Sequence, residues 1–350
     1  MKTIWYYFVK VLIKSSLFFY TKNINVSGKK HIPRKGAVLF MVNHPNGLID
    51  PLIVAVNNPR IQHFLVRAAV FKKPLVKKFL ATLNLMPIYR IRDGVQKLGK
   101  NQEIFEKCFS IFNEGKALMI FPEGSHSRKR TIRPLSKGFT RIVFGALEQN
   151  PDLKIQIVPV GITYQNSSVY PSKVTLNYGT PVLANSYFSP EDQVTKTRQL
   201  KELITQQLQQ LSVHIPDDEN YSGILQSMNK ANVDFTDVTA ANEMIKTGKI
   251  TGRKRSINVL AFLKPLIVLN TLIPWLLWRY VDKKNDEIEF VDTFRFGFNT
   301  LTFGLSYLLQ SYIAFWFFGW KIALIYFACS LLAILLFSKL HPTPAELPLE

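Results

Sequence analysis

Ala37-Val38-Leu39-Phe40-Met41-Val42-Asn43-His44-Pro45-Asn46-Gly47-Leu48-Ile49-Asp50 joins six consecutive apolar residues to a turn that carries one imidazole and one carboxylate. An unbroken apolar run of this length, closed by turn formers, predicts a strand buried on both faces of an α/β sheet rather than a half-exposed one. Pro45, Asn46 and Gly47 then predict a turn before a helix containing Asp50. Asp50 is the only acidic residue among the first 92 positions, which hold sixteen Lys and Arg. A His beside a lone carboxylate is how an imidazole is held in one tautomer and made able to take a proton from an alcohol. The surrounding positive charge, part of a net +20 for the chain, points to phosphate or an anionic surface as its partner.

Further short apolar runs recur at His63–Val66, Ala117–Phe121, Ile155–Ile162 and Val174–Tyr178, with a helical pattern at Gln102–Phe112 between them. They predict more buried strands of the same sheet, flanked by helices. Ser189-Pro190-Glu191-Asp192 has the form of a helix start leading into an amphipathic helix through Leu211. Residues 217–252 are polar and mixed and predict a helical connector.

Two long stretches differ from all of these. Val259–Trp278 and Phe296–Phe337 are almost wholly aliphatic and aromatic, interrupted chiefly by Lys264, Gln310, Lys321 and a few hydroxyls. The second is about twice the roughly 20 residues that cross a bilayer, with Gly319-Trp320-Lys321 at its middle, so a hairpin of two transmembrane helices is expected. The first holds Lys264, Pro265 and Pro274 and is either a kinked span or a re-entrant segment. A buried pair of core helices is the soluble alternative. At the N-terminus, residues 1–25 lack a small-residue cleavage site and predict an interfacial amphipathic helix with Trp5, Val9, Leu12 and Ile13 towards lipid and lysines towards headgroups. Basic residues flank every apolar segment, so they do not fix the topology. Two separated cysteines, Cys108 and Cys329, make no disulfide framework and suit a reducing, cytoplasmic setting for the soluble part. The expected organisation is an interfacial helix at 1–25, a catalytic domain at 26–215, a connector at 216–255 and a membrane domain at 256–340.

Three more patches carry candidate chemistry. Pro87-Ile88-Tyr89-Arg90-Ile91-Arg92-Asp93 puts two arginines after an apolar run, with Arg92 able to pair with its neighbour Asp93. Phe121-Pro122-Glu123-Gly124-Ser125-His126-Ser127-Arg128 follows a predicted strand, and Val158-Pro159-Val160-Gly161 lies in another. Arg90, Arg92, Arg128 and Lys137 supply charge-assisted donors, and Arg suits bidentate capture of phosphate. Glu123 could instead cap a following helix, and His126 could be a polar surface residue. The paired lysines of Phe71–Phe79, interleaved with apolar residues, suit a membrane-surface helix. Gly124-Ser125-His126-Ser127 lacks the second glycine of a nucleophile elbow. Walker loops and dinucleotide glycine fingerprints do not occur.

The order and content of these patches, from about Val26 to Thr180, resemble the glycerophospholipid acyltransferase family, whose members acylate glycerol 3-phosphate or 1-acylglycerol 3-phosphate. The resemblance implies an acyltransferase-type α/β sheet and an acyl thioester donor, either acyl-CoA or acyl-carrier protein. It implies that His44 deprotonates the acceptor hydroxyl and that Asp50 orients it. Arg90 and the Glu123-Gly124 turn would help hold the phosphate-bearing acceptor, with Pro159 and Val160 on the acyl side. No metal or other cofactor is expected, because a thioester is already activated. The partners implied are the thioester, a phosphorylated glycerol or lysolipid and a lipid bilayer, not nucleic acid, with the catalytic domain on the cytoplasmic face of an integral membrane protein. The family's commonest spacing has four residues between His and Asp, and this chain has five. Within a helix the extra residue would turn Asp50 by about 100°, so it is expected to be absorbed in the Pro45–Gly47 turn. Competing functions are acylation of another lysolipid, including an amine-linked one, a serine hydrolase using Ser125 with His126 or His44, and a non-catalytic basic binder of nucleic acid or anionic lipid.

Overall fold

The computed structural model describes residues 2–90, 95–253, 258, 264–283 and 288–343. Helix α1 (Lys2–Tyr20) leads into strand β1 (Asn23–Ser27), followed by β2 (Ala37–Val42), α2 (Ile49–Val56), β3 (Gln62–Arg67), α3 (Pro74–Thr82), β4 (Leu85–Ile88), α4 (Asn101–Asn113) and β5 (Ala117–Ile120). Then come α5 (Gly138–Gln149), β6 (Ile155–Tyr164), β7 (Lys173–Tyr178), β8 (Val182–Leu183) and α6 (Gln193–Leu211). The strands form one sheet in the order β1-β7-β6-β2-β5-β3-β4, with β8 added against β6.

Strand β2 lies inside this sheet, in parallel register with β5 and β6. Its side chains alternate between two apolar layers. Ala37, Leu39 and Met41 join the cores of α4, α5 and α6, while Val38, Phe40 and Val42 meet Leu17 and Tyr20 of α1 and Ile49 and Ile53 of α2. Both faces are covered, which is why the sequence shows no polar alternation here. Because β2, β3, β4, β5 and β6 run parallel, their carboxyl ends share one edge, the edge at which open α/β sheets build their sites. The helix predicted to open at Ser189 begins four residues later, at Gln193. Residues 189–192 form the turn before it, and Asp192 makes no side-chain cap.

Residues 217–252 do more than connect. Helices α7 (Tyr221–Lys230) and α8 (Val238–Thr247) close a small core of their own with Val213 and Ile215. That core is stitched to the sheet by the Lys173–Asp234 ion pair at 2.8 Å and by Thr175 Oγ1 donating to Thr236 O. Helix α1 also departs from its expected orientation. Tyr6, Leu17 and Tyr20 are buried, Ile13 packs on the core, and Lys10 turns inward to donate to Asn58 O, leaving Ile4, Phe8, Val11, Leu12 and Phe18 exposed. Val9 is half-buried. The apolar face offered outward is therefore rotated from the predicted one. Trp5 Nε1 donates to Thr82 Oγ1 at 3.0 Å, which sets this face beside α3 with its exposed Leu75 and Phe79.

The C-terminal region holds α9 (Lys264–Asn270), α10 (Leu272–Asp282) and α11 (Ile288–Leu340). The apolar stretch from Val259 lies partly outside the described residues. Its described part is two short helices interrupted at Thr271, each well under the length of a span. Helix α11 is itself interrupted at Gly319, whose φ of 77° and ψ of 174° belong to a region open essentially to glycine alone. Across that break Tyr326 donates to Gln310 Oε1 at 3.0 Å. In a continuous helix those sixteen residues would separate the two by about 24 Å. The chain thus folds back on itself as the expected hairpin. Asn270 joins both arms, accepting from Tyr326 and donating to Ser330 Oγ, while its carbonyl accepts from Gln310. From Thr293 to Leu340 the run is apolar and long enough to cross a bilayer, and most of it is uncovered by protein.

Candidate active site

At the carboxyl end of β2, residues 43–48 leave the sheet as a turn, and α2 opens at Ile49. The extra residue is absorbed before the helix, so Asp50 sits in its first turn and points back towards His44. His44 Nδ1 lies 2.8 Å from Asp50 Oδ2. The same oxygen accepts the Asn46 N–H at 2.7 Å, and Tyr164 Oη donates to Oδ1 at 2.7 Å. With Nδ1–H committed to the carboxylate, Nε2 is the nitrogen left with a lone pair. Asp50 is wholly buried, and the His44 side chain is 14% exposed. Burial holds the imidazole well below its ordinary range, only partly opposed by the Glu123 carboxylate, so it is neutral at physiological pH. Burial pushes the Asp50 carboxyl up, while the Tyr164 and Asn46 donors pull against that shift.

The turn is held from several sides. Asn43 continues the sheet's bonding through its side chain, with Nδ2 donating to Ile162 O at 3.0 Å and Oδ1 accepting the Ile162 N–H at 2.7 Å. The His44 ring stacks on Phe121, centroids 4.0 Å apart, and meets His126 edge-on at 5.8 Å. Ser127 N–H donates to His44 O. A cavity of about 30 Å³ lined by His44 together with Ser127, Arg128 and Tyr164 has room for a water or two and not for an acyl chain.

The second segment of the site follows β5. Gly124 occupies the left-handed region at φ 74°, and its carbonyl accepts from Arg90 Nη1 at 3.0 Å. Arg90 follows β4, where the Asn101 side chain pins both polar groups of the Tyr89 backbone. Glu123 is almost wholly buried and pairs with Arg133 Nε at 2.7 Å, while Arg133 Nη1 donates to Ser125 Oγ at 2.7 Å. Burial raises the Glu123 carboxyl, and Arg133 opposes that.

The expected residues therefore separate. His44, Asp50, Arg90, Glu123, Gly124 and Arg128 gather at one sheet edge. Lys137 stands exposed before α5. Pro159 and Val160 lie in register with Met41 and Val42 and are buried within the sheet, so in this structure they line no open surface. Arg92 lies outside the described residues. Tyr164 and Arg133 are functional candidates that the motifs do not reveal, since a tyrosine ending a strand and an arginine ten residues past Glu123 have no local signature. Arg130, another basic residue of this loop, is committed elsewhere, donating to the carbonyls of Tyr164 and Gln165 and lying over Phe235. Among the described residues no cluster of His, Cys, Asp and Glu suits a metal ion.

Residues 23–163, which contain both segments of the site, match the family model described as Acyltransferase. That stretch is an acyltransferase-type domain, and the chain is similar to glycerophospholipid acyltransferases. Over 121 residues the chain is 26% identical to glycerol-3-phosphate O-acyltransferase 1 of Saccharomyces cerevisiae, covering 33% of its own length and 16% of the yeast protein's. Over 174 residues it is 26% identical to the 1-acyl-sn-glycerol-3-phosphate acyltransferase of Borreliella burgdorferi, covering 50% of its own length and 64% of that protein's. It thus spans less than two thirds of either relative. A crystal structure of the 1-acyl-sn-glycerophosphate (LPA) acyltransferase from Thermotoga maritima aligns over 62% of this chain and 83% of that one, with a TM-score of 0.45 and 17% identity.

Proposed function

We propose that this chain transfers a fatty acyl group from an acyl thioester, acyl-CoA or acyl-carrier protein, to the hydroxyl of glycerol 3-phosphate or 1-acylglycerol 3-phosphate. The observation that carries the proposal is His44 held through Nδ1 by buried Asp50, at the sheet edge that also bears Arg90 and the Glu123-Gly124 turn. His44 Nε2 takes the acceptor's hydroxyl proton as its oxygen attacks the thioester carbonyl carbon. The imidazolium so formed is stabilised by Asp50, whose charge Tyr164 and Asn46 hold in place. The tetrahedral oxyanion collapses, the C–S bond breaks, and the leaving thiolate takes the proton back from Nε2. Arg90 and Arg128 supply the charge that attracts the acceptor's phosphate.

A serine hydrolase is disfavoured by Ser125, whose Oγ accepts from the Arg133 guanidinium, a group that takes no proton. The exposed apolar hairpin, together with α1 and α3, supports an integral membrane protein; we read its catalytic part, with α7 and α8 packed on it, as lying on the cytoplasmic face. The deciding experiment is thiol release from acyl-CoA by the membrane-embedded chain against glycerol 3-phosphate, 1-acylglycerol 3-phosphate, neutral lysolipids and an amine-linked lysolipid. Release that requires a phosphorylated acceptor is expected. Free fatty acid formed without acceptor, or preference for the amine-linked lipid, would overturn it.

A further inference from the structure

Helix α2 opens with no side chain of its own turn capping it, since its N-cap residue is Leu48. The Leu48 N–H instead donates to Thr293 Oγ1 at 2.9 Å, across 245 residues of sequence. Thr293 stands at the foot of the first arm of the apolar hairpin and is nearly buried. A second path runs from the same foot. Arg295 Nη1 donates to Ser168 O at 3.1 Å, the adjacent Ser167 O accepts from Asn46 Nδ2 at 3.0 Å, and the Asn46 N–H reaches Asp50. Packing ties the same parts together. Phe296 lies against Tyr20, and Tyr170 meets both Tyr20 and, from the hairpin's other end, Phe337.

We infer that Thr293 is a positioning residue for the His44–Asp50 turn, so that the foot of the apolar hairpin sets the geometry of the site. This rests on the acyl-transfer reading above. The physical ground is that Pro45–Leu48 is an irregular loop between a strand and a helix. Its backbone donors need acceptors, and the acceptor for Leu48 comes from the hairpin. Displacement of a general base by about 1 Å is enough to cost orders of magnitude in rate. Loss of one such contact, with Asn43 and Asn46 still in place, is a smaller disturbance.

The test uses the full chain in phospholipid nanodiscs. Thr293→Val removes the hydroxyl at constant shape, Thr293→Ser restores it, and Thr302→Val deletes a hydroxyl that bonds only within its own helix, to Phe298 O. For Thr293→Val a kcat about 10-fold lower is expected, with KM for both substrates within about twofold. Amide exchange over residues 45–50, followed by mass spectrometry, is expected to quicken. Thr293→Ser recovers both, and Thr302→Val behaves as the unsubstituted chain. Unchanged kcat or unchanged exchange in Thr293→Val, a loss that serine does not repair, or an equal loss in Thr302→Val would overturn the assignment. If the unsubstituted chain releases no thiol with any acceptor, the acyl-transfer reading fails by itself. The exchange measurement then still decides whether Thr293 holds the turn.

Discussion

Strand β2 and the first arm of the C-terminal hairpin are both built mainly of apolar residues, yet the molecule treats them in opposite ways. Every β2 side chain is at most 2% exposed, whereas Leu301, Trp316 and Phe317 are 64%, 71% and 77% exposed. Hydrophobicity alone therefore does not say what a segment will touch. Length and neighbours do: six residues can be covered by one helix layer on each side, while more than forty in two helices exceed what this domain can cover. The uncovered surface needs a different apolar environment, and a bilayer is the one proposed above.

That contrast can be broken most severely at the end of β2. His44→Ala is expected to lower kcat by roughly 10² to 10⁴-fold while the chain still folds and inserts, as thiol release and the yield of membrane-embedded protein report. Within the strand, Phe40→Ala should destabilise the catalytic part by about 3–5 kcal/mol, read from the denaturant midpoint. Tyr164→Phe removes one donor from the Asp50 carboxylate, and a kcat about 10-fold lower is expected, the scale of one hydrogen bond to a charged group. The pH profile sharpens this. A base works when deprotonated, and burial depresses His44, so kcat/KM should stay level through neutrality and fall only well below pH 6.5. An acid limb near 6.5 would mean that the imidazole is solvated. At the other extreme, Phe317→Ala should change stability by less than about 0.5 kcal/mol, since the position contacts little protein. The hairpin itself is sharpened by single cysteines at Lys321 and Lys339 in a chain with Cys329 replaced. An impermeant thiol reagent applied to intact cells is expected to label the first only.

Much of this was legible because it is local. The run Ala37–Val42 defines its strand to the residue, and the turn formers after it locate the helix start that brings Asp50 round to His44. Gly319, flanked by long apolar runs, marks the fold-back. What stayed hidden depends on partners brought together by the tertiary fold. Tyr164 reaches Asp50 across 114 residues, and Arg133, not an anion-binding motif residue, is what neutralises Glu123. The orientation of α1 was misread for a related reason. A lysine within an apolar helix suggests a headgroup-facing side, but Lys10 finds a backbone carbonyl to bond and turns inward. Pro159 and Val160 form part of a conspicuous motif, yet their positions in the middle of the sheet bury them.

The bond between Leu48 and Thr293 also has a consequence in time. A ribosome adding roughly 5–20 residues per second makes Thr293 on the order of 12–50 s after Leu48. Throughout that interval the nascent chain has its strand β2 and its imidazole but lacks the acceptor for the turn's backbone. On the membrane reading proposed above, the apolar arm that closes the turn is also the arm that enters the bilayer, so the catalytic turn gains its last backbone acceptor late, together with insertion.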